Sequence, residues 1–280
     1  MKMKPQQTLV NGQKQDKISV RDRALQFGDG VFETFAINNG EALAWDRHIS
    51  RLLAACLRLG IVCPDSHLLQ GEAMSLCKNS QRAVLKLIIS RGEGGRGYQL
   101  PQHAQTTRIF SLHDWPEYPP EYEREGIVAG IFGMRLGRNP ALAGMKHLNR
   151  LEQVLLKKEL SETNFAEAIA MDINDEIIEG SMSNIFLVKN DQLFTPDLSY
   201  AGVEGIVRAS ILELSNDIKL KSEIKRLKLE DVHDADEIFF CNSLAGIWPV
   251  KQIGETRFGI GPVTRKIQSL LRDKNLIVML

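Results

Sequence analysis

The sequence predicts a two-domain protein of mixed α and β structure. Its 280 residues correspond to one or two domains at the usual size of roughly 100–200 residues per domain. Apolar residues make up 43% of the chain and charged residues 25%, which is typical of a globular protein with a sizeable core. Near the middle, three prolines within residues 113–122 oppose both a helix interior and a central strand. We therefore expect a small α+β domain over residues 1–113, a linker over 114–126 and a larger domain over 127–280.

The first domain contains one clear amphipathic helix. Apolar residues recur there at helical spacing: Trp45, Ile49, Leu52, Leu53, Cys56 and Leu57. Asp46 is a candidate N-cap, and Gly60 is expected to end the helix. Two short apolar runs, 83–89 and 108–112, contain β-branched residues and predict strands on either side of a glycine-rich loop.

The second domain is expected to combine a hairpin-rich sheet with two helices. Its predicted strands are short apolar segments, some of them separated by Asn-Asp turns: 127–132, 167–172, 176–179, 184–189, 192–195, 237–241 and 248–252. Apolar residues from Leu148 to Leu155 predict one helix, and residues 206–214 predict another. The alternation of helices and strands indicates α/β structure in this half.

Charge and cysteine content exclude several classes of protein. Lys plus Arg and Asp plus Glu each number 35, so the net charge is zero and no overall field attracts nucleic acid or an anionic membrane. The four cysteines form no C-x-x-C pair and no metal-like cluster with histidine, which is typical of buried thiols in a reducing compartment. The N-terminus lacks an apolar leader, and no run of 18 apolar residues occurs. We expect a cytoplasmic protein that binds no metal ion, nucleic acid or membrane.

A glycine-rich segment follows the first of the two N-terminal strands. Residues 92–97 have the sequence GEGGRG and satisfy the G-x-G-x-x-G pattern of dinucleotide-binding loops. In such loops a helix follows and its N-terminus binds the pyrophosphate, but here Pro101 opposes a helix. We interpret the segment either as a flexible connection or as a substrate lid that carries Arg96.

Lys146 and Glu179 are candidate chemical groups. Lys146 lies in an apolar run, 142–148, where desolvation lowers the pKa of an ammonium and makes the amine available as a nucleophile. Glu179 ends an apolar strand and enters a Gly/Ser turn, where a carboxylate can hold a pyridinium nitrogen protonated. On spacing alone, both residues also fit solvated positions at the end of an element. The pattern by itself leaves these alternatives open.

Three positions can bind a phosphate. Arg51 lies opposite the apolar stripe of the amphipathic helix, so it faces solvent unless a second domain covers it, in which case its guanidinium is a bidentate clamp. Gly205 opens a predicted helix whose first N–H groups can bind an anion. Asn242 and Ser243 follow a strand, and they or Gly205 can instead serve only as caps. Together with a lysine nucleophile and a carboxylate, these positions fit a phosphorylated pyridine aldehyde.

Several ordered motifs carry a resemblance to a known family. They are Asn11-Gly12, 22–34 (DRALQFGDGVFET), 48–52 (HISRL), Glu179 with Ser183-Asn184, 205–208 (GIVR) and 241–243 (CNS). In this order, and over most of the chain, they resemble the fold type IV pyridoxal-phosphate enzymes, the group of branched-chain and D-amino-acid aminotransferases. Within the group, three segments resemble the aminodeoxychorismate lyases: 90–98 (SRGEGGRGY), 136–140 (LGRNP) and 146–155 (KHLNRLEQVL).

The resemblance implies a role for each candidate residue. It implies a pyridoxal 5'-phosphate cofactor attached to Lys146, with Glu179 at the pyridine nitrogen. The residues implied at its phosphate are Arg51, Ile206 and Val207 through their N–H groups, Asn242 and Ser243. Thr34 is implied to assist proton transfer, and Arg96 is a plausible partner for a substrate carboxylate.

The resemblance also implies the reaction and the partners. The lyases remove pyruvate from a small-molecule substrate, 4-amino-4-deoxychorismate, and form 4-aminobenzoate for folate. The cofactor is expected between the two domains of each subunit of a homodimer. Where aminotransferases of the group place a carboxylate-binding arginine and histidine, residues 96–98 are RGY, which favours the lyase. An aminotransferase acting on D-amino acids or branched-chain amino acids is the alternative; a non-catalytic dimerising protein and a dinucleotide oxidoreductase are the other two hypotheses.

Overall fold

The N-terminal unit is built on an antiparallel sheet. The structure is a computed structural model that describes residues 7–278; residues 1–6 and 279–280, which the expected domain limits include, lie outside the described residues. By its internal contacts the unit comprises the described residues up to Pro116 together with Met145–Asn149. Its elements are β1 (Gln7–Val10), β2 (Gln13–Lys14), α1 (Arg23–Phe27), β3 (Gly30–Asn38), β4 (Glu41–Ala42), α2 (Trp45–Leu59), α3 (Ser66–Cys77), β5 (Arg82–Ser90) and β6 (Thr107–Asp114).

The two faces of this sheet differ in character. Its strand order is β2-β1-β6-β5-β3-β4, and every neighbouring pair is antiparallel. Phe35 and Leu85 are fully buried on one face, where the Phe35 ring packs against Trp45 of α2. Because side chains alternate along a strand, Thr34 and its cross-strand partner Lys86 lie on the opposite face, where both are half-buried.

The segment Met145–Asn149 belongs to this unit although it is separated from the rest of it in the sequence. The N–H of Phe32 donates to the carbonyl of Lys146 at 2.9 Å, and the N–H of Leu148 donates to the carbonyl of Gly30 at 3.0 Å, so the segment lies along the start of β3. The expected domain limits place Lys146 in the C-terminal domain, whereas its contacts group it with the N-terminal unit. The reason is a long-range backbone pairing, which sequence periodicity does not reveal.

The C-terminal unit comprises Glu117–Gly144 and the described residues from Arg150 onwards. Its elements are α4 (Glu121–Arg124), β7 (Ile127–Leu136), α5 (Leu151–Ser161), β8 (Glu167–Asp172), β9 (Ile177–Gly180), β10 (Asn184–Lys189), β11 (Gln192–Pro196), α6 (Ile206–Asp217), β12 (Ser222–Lys225), α7 (Leu229–His233), β13 (Glu237–Asn242), β14 (Gly246–Ile253), β15 (Thr256–Arg257) and α8 (Pro262–Asp273).

Within the described residues, strands β7 to β15 form one nine-stranded mixed sheet. The order is β12-β11-β10-β13-β14-β7-β8-β9, and β15 pairs with β14. Three pairs are parallel, β11–β12, β14–β7 and β7–β8, and the other pairs are antiparallel. The predicted combination of α+β and α/β structure is therefore confirmed.

Helices α6 and α8 pack with one face of this sheet in a shared apolar core. The rings of Phe186 in β10 and Phe239 in β13 stack with their centroids 5.1 Å apart. The same core includes Val207 and Ile211 of α6 and Leu271 of α8. Because the first turn of α6 is part of this core, packing fixes where that helix begins relative to β10.

Three local expectations differ from the structure. Residue Ala44, with a left-handed φ of 52°, precedes α2, and Asp46 lies in the first turn, where its charge favours the helix dipole. The helix expected from Leu148 begins at Leu151 because the preceding residues pair with β3. The expected linker 114–126 contains α4, whose Glu123 is buried. Within residues 7–278, we find no helix with both the length and the apolar character required to cross a lipid bilayer.

Candidate active site

Lys146 lies against an aromatic ring in the N-terminal unit. Its Nζ is 4.6 Å from the centroid of the Phe32 ring, and its side chain is half-buried. The backbone pairing of this segment with β3 holds the lysine in place. A partly desolvated amine on a fixed backbone can react with a carbonyl compound, so the predicted nucleophile has a suitable environment.

A second lysine lies against the same ring. Lys86 Nζ is 5.1 Å from the Phe32 centroid, and burial lowers the pKa of Lys86. None of the ion pairs among residues 7–278 includes Lys86. Lys86 is not among the residues predicted from the sequence, although a lysine inside the apolar run 83–89 is a usable signal.

Thr34 is the cross-strand partner of Lys86. The two residues are paired in the register of β3 and β5, and Phe32 lies two residues before Thr34 on the same face. The predicted proton-transfer residue therefore shares a sheet face with the ring that Lys146 contacts.

Arg51 is held by a buried carboxylate. Its Nε donates to Oε1 of Glu33 at 2.8 Å and its Nη2 donates to Oε2 at 2.5 Å, while His48 Nδ1 lies 2.6 Å from Oε2. The Glu33 side chain is 1% exposed and that of Arg51 14%. The expectation that Arg51 faces solvent in the absence of a second domain is wrong, because Glu33 of the adjacent strand β3 covers it within this unit.

The charges around Glu33 and His48 shift the pKa values of both side chains. Burial acts to raise the pKa of Glu33, but the Arg51 charge and the hydrogen bonds from His48 and Arg51 outweigh burial and lower that pKa to about 2. Burial lowers the pKa of His48, and the Arg51 and Lys146 cations act in the same direction. Glu33 is therefore a fixed anion and His48 donates its Nδ1 proton to it. Neither Glu33 nor His48 is among the site residues predicted from the sequence.

Arg96 lies in a loop without a helix. Residues 91–106 connect β5 to β6, and no helix follows the glycines. The expectation that no helix follows residues 92–97 is thus confirmed. The Arg96 side chain is exposed.

Glu179 is a buried acid in the C-terminal unit. It lies on β9, where its Oε2 accepts a hydrogen bond from the N–H of Val203 at 2.9 Å and its Oε1 accepts one from Nε2 of Gln153 at 3.3 Å. These donors orient the carboxylate, and the Arg150 guanidinium interacts with it electrostatically. A solvated position at the strand end is excluded by its burial.

The turn after Glu179 is held by another buried carboxylate. Glu167 is 0% exposed. Its Oε1 accepts hydrogen bonds from the backbone N–H and the hydroxyl of Ser181, and its Oε2 accepts one from the Ser183 hydroxyl at 2.7 Å. This network fixes the residues between Glu179 and β10.

The N-terminus of α6 is open to an anion. Gly205 is the N-cap residue, and no side chain caps the helix. Asn184 Nδ2 donates to the carbonyl of Val203 at 2.9 Å, and a Cβ on Gly205 would lie only 1.9 Å from Oδ1 of Asn184. A glycine is therefore required here. The N–H groups of Ile206 and Val207 belong to the first turn, where intrahelical acceptors are missing.

The Asn242 side chain binds the backbone of the turn that follows β13. Its Oδ1 accepts from the N–H groups of Leu244 at 2.9 Å and Ala245 at 2.7 Å, and its Nδ2 donates to the carbonyl of Met182 at 3.3 Å. These bonds hold the turn, and a cofactor contact at Asn242 stays a prediction. Ser243 is half-buried within the turn.

Each unit contains part of the donor set that a phosphorylated pyridine aldehyde needs. The N-terminal unit contains the Lys146 amine, which suits an aldehyde, and the Arg51 guanidinium, which suits a phosphate. The C-terminal unit contains the Glu179 carboxylate, which suits a ring nitrogen, and a helix N-terminus preceded by a glycine, which suits a phosphate.

Comparison with known proteins gives consistent results. The family model described as amino-transferase class IV matches residues 30–253. The aminodeoxychorismate lyase of Vibrio harveyi is 37% identical over 266 residues, covering 94% of this chain and 98% of that protein. The D-alanine aminotransferase of Bacillus licheniformis is 30% identical over 281 residues, covering 96% of each.

Solved structures show the same similarity. The crystal structure of 4-amino-4-deoxychorismate lyase from Pseudomonas aeruginosa has a TM-score of 0.92 and 41% identity, covering 95% of this chain and 98% of that one. The branched-chain amino acid aminotransferase of Escherichia coli has a TM-score of 0.85 and 26% identity, covering 97% and 95% respectively.

Proposed function

The chain belongs to the class IV amino-transferase family, and from this premise we propose that it is a pyridoxal-phosphate-dependent aminodeoxychorismate lyase. In the proposed reaction, 4-amino-4-deoxychorismate loses pyruvate and becomes 4-aminobenzoate, which serves folate biosynthesis. One observation carries the choice within the family. Identity to the solved lyase of Pseudomonas aeruginosa is 41%, against 26% for the solved branched-chain aminotransferase.

The proposed cofactor contacts follow from the donor set. Lys146 is the covalent attachment point and Glu179 is the partner of the pyridine nitrogen. The groups proposed for the phosphate are the Arg51 guanidinium, the Ile206 and Val207 N–H groups and the Ser243 hydroxyl. When bound, pyridoxal phosphate supplies an electron sink for the substrate carbon that loses a proton.

Lys146 and Thr34 are the proposed proton-transfer residues. Lys146 accepts the proton from C4 of the substrate, and departure of the enolpyruvyl group then leaves an aromatic ring. The leaving group takes up one proton to become pyruvate. Thr34 assists proton transfer because it lies on the same sheet face as Phe32, the ring that Lys146 contacts.

Two cations are available for the two carboxylates of the substrate. Arg96 offers a planar guanidinium with parallel donors, which matches a carboxylate, and its side chain is exposed. Lys86 offers a half-buried ammonium against the Phe32 ring. We assign both residues to substrate binding, and Lys86 is the addition that the structure contributes.

The proposed enzyme is a cytoplasmic homodimer. Three large apolar side chains on α5 are exposed in the single chain, Leu151 at 71%, Val154 at 59% and Leu155 at 47%, and a second copy of the chain would cover them. The cysteines are free, and three of the four are buried, as in proteins of reducing compartments. Light scattering of the purified protein tests the dimer: a monomer mass at working concentration would refute it.

Product analysis tests the function. The purified enzyme, loaded with pyridoxal phosphate, is supplied with 4-amino-4-deoxychorismate, and 4-aminobenzoate and pyruvate are quantified together. Equal amounts of both products, absent with Lys146→Ala, are the expected result. Borohydride reduction followed by digestion should place a pyridoxyl group on Lys146; an unmodified peptide would refute the attachment.

An aminotransferase remains the second candidate because the D-alanine aminotransferase of Bacillus licheniformis is 30% identical over 96% of the chain. If the loaded protein forms neither product, this candidate replaces the lyase. A screen of D- and L-amino acids with a keto-acid acceptor would then identify the substrate.

A further inference from the structure

Arg23 binds the backbone of the loop that carries Arg96. Its Nη1 donates to the carbonyls of Gly97 and Gln99, both at 3.3 Å, and its Nη2 donates to the carbonyl of Tyr98 at 3.4 Å. Arg23 lies at the start of α1, more than seventy residues earlier in the sequence. One side chain therefore holds three consecutive peptide groups directly after Arg96.

The glycines of the loop make room for this arrangement. A Cβ on Gly94 would lie 2.9 Å from Cδ of Arg23, so a side chain there would displace the arginine stem. Gly92 has a φ of +92°, and its Cβ would lie 1.8 Å from the carbonyl oxygen of Gln105. Two glycines of the pattern are therefore required by close packing, Gly94 against Arg23 and Gly92 against the Gln105 backbone.

A second arginine shares the carboxylate that holds Arg23. Asp29 Oδ2 accepts from Nε of Arg23 and from Nε of Arg91, each at 2.7 Å. Arg91 in turn donates to the carbonyls of Leu59 at 2.8 Å and Gly60 at 2.7 Å, at the C-terminal end of α2. Burial raises the pKa of Asp29 but hydrogen bonds and charges from both arginines lower it overall.

Arg23, which anchors residues 97–99, is protected from solvent, whereas Arg96, the residue before the anchored segment, is exposed. The Arg23 side chain is 4% exposed, and its guanidinium carbon lies 4.7 Å from the centroid of the Phe27 ring. The Phe27 ring also contacts Tyr98, with centroids 5.4 Å apart. Arg96 itself is exposed. A rigid buried base with an exposed cation at its edge is the arrangement that presents a side chain to a ligand.

We propose that Arg23 is a positioning residue for substrate specificity: it fixes the backbone of residues 97–99 and thereby sets the place from which Arg96 binds a substrate carboxylate. This inference rests on the proposed lyase function for the role of Arg96. Of the two alternatives for this segment it disfavours a flexible connection, because the loop is anchored through Asp29 and Arg91 to the end of α2.

Limited digestion by trypsin tests the anchor without any substrate. Arg23→Gln removes the charged donors, and cleavage after Arg96 should become at least tenfold faster because the loop opens more often. Arg21→Gln is the matched control: its side chain is 71% exposed and pairs with Glu93 of the same loop at 2.7 Å, so cleavage should change little. Cleavage of Arg23→Gln at the rate of the unchanged protein would overturn the anchor.

Steady-state kinetics with the loaded enzyme test the positioning. Arg23→Gln should raise KM for 4-amino-4-deoxychorismate roughly tenfold with kcat changed less than threefold, since it acts on binding through Arg96. Arg96→Gln should raise KM at least as much, and the double variant should equal Arg96→Gln alone, because one effect passes through the other. If the two substitutions raised KM independently, so that the rise in the double variant equalled the product of the two single rises, the proposal would be refuted.

Arg23→Lys covers the case in which Arg23→Gln does not fold. A lysine keeps the charge beside Asp29 but cannot bind three carbonyls with a planar guanidinium. Arg23→Lys should therefore show faster cleavage after Arg96 and a higher KM, both to a smaller extent than Arg23→Gln. A wild-type cleavage rate together with a wild-type KM would overturn the proposal. If no 4-aminobenzoate forms while Arg23→Gln is digested faster, the proposed function fails and the anchor stands.

Discussion

Arg51 and Glu33 form a two-point ion pair between α2 and β3, with both oxygens of the carboxylate bound by the guanidinium at 2.8 and 2.5 Å. The carboxylate also accepts a hydrogen bond from His48, one turn earlier on α2. A buried anion thus holds the helix face that carries a proposed phosphate ligand. Glu33 therefore holds the Arg51 guanidinium in place without any contact from a cofactor.

Replacing Glu33 should therefore weaken both the fold and the binding of the cofactor. Glu33→Gln leaves the Arg51 charge without its buried partner, and the loss expected from breaking such a pair is roughly 3–5 kcal/mol of unfolding free energy. Urea denaturation and titration of the apoenzyme with pyridoxal phosphate measure the two effects. Glu41→Gln, at an exposed position, should change stability by less than about 0.5 kcal/mol. A loss below about 1 kcal/mol for Glu33→Gln would contradict the assigned role.

The same carboxylate predicts an acid limit of stability. Its pKa is lowered from 4.5 to about 2 in the folded protein, so its contribution to stability is complete above the unfolded pKa of 4.5 and is lost as pH falls toward 2. Unfolding free energies measured from neutral pH downward should show this loss. In Glu33→Gln the slope below pH 4.5 should be smaller. Equal slopes for the two proteins in this window would show that Glu33 does not carry the effect.

Glu179 should matter for turnover more than for attachment of the cofactor. Glu179→Gln removes the negative charge assigned to the pyridine nitrogen, and kcat is expected to fall roughly 100-fold or more, as when a preorganised electrostatic partner is lost. The visible absorbance of the lysine-bound cofactor should persist. Glu255→Gln is an exposed control in the same unit. Unchanged turnover would refute the role of Glu179.

Lys86 is expected to bind substrate, and its partly buried charge is expected to lower the stability of the unliganded protein. Lys86→Met removes a partly buried ammonium, so we expect KM to rise roughly 10–100-fold, equivalent to about 1.4–2.8 kcal/mol, while the unliganded protein becomes more stable by roughly 1 kcal/mol. Lys86→Arg should retain part of the affinity because it keeps the charge. Thermal unfolding and steady-state kinetics measure both quantities. An unchanged KM in Lys86→Met would exclude a substrate contact.

Two glycine substitutions separate the anion site from helix stability. Gly205→Ala would place a Cβ 1.9 Å from Oδ1 of Asn184, so the N-terminus of α6 should shift and the affinity for pyridoxal phosphate should fall roughly tenfold, about 1.4 kcal/mol. Gly71→Ala lies in α3, where a Cβ would meet nothing within 4 Å. It should raise stability by roughly 0.5–1 kcal/mol without changing cofactor affinity. Wild-type affinity in Gly205→Ala would argue against the helix N-terminus as the phosphate site.

Local sequence patterns predicted much of the C-terminal sheet. The expected strands 167–172 and 184–189 have the same limits as β8 and β10, because a strand buried on both faces needs an apolar run bounded by turn residues whatever its neighbours are. The segment before α5 was different. Its apolar residue Leu148 fits a helix by periodicity, but its N–H pairs with Gly30, and a pairing partner more than one hundred residues away leaves no periodic signal.

The sequence by itself determined several helices and strands of both units, though not β3, α3 or α8. It also determined the resemblance to a family and the chemical types of Lys146 and Glu179. Only the tertiary structure decided which groups share an environment. Glu33 meets Arg51 because α2 packs on β3, Lys86 meets the Phe32 ring through the register of β5, and Arg23 meets residues 97–99 across the fold. The physical reason is that periodicity specifies which face of an element is apolar, whereas the partners of its polar side chains depend on register and packing between distant segments.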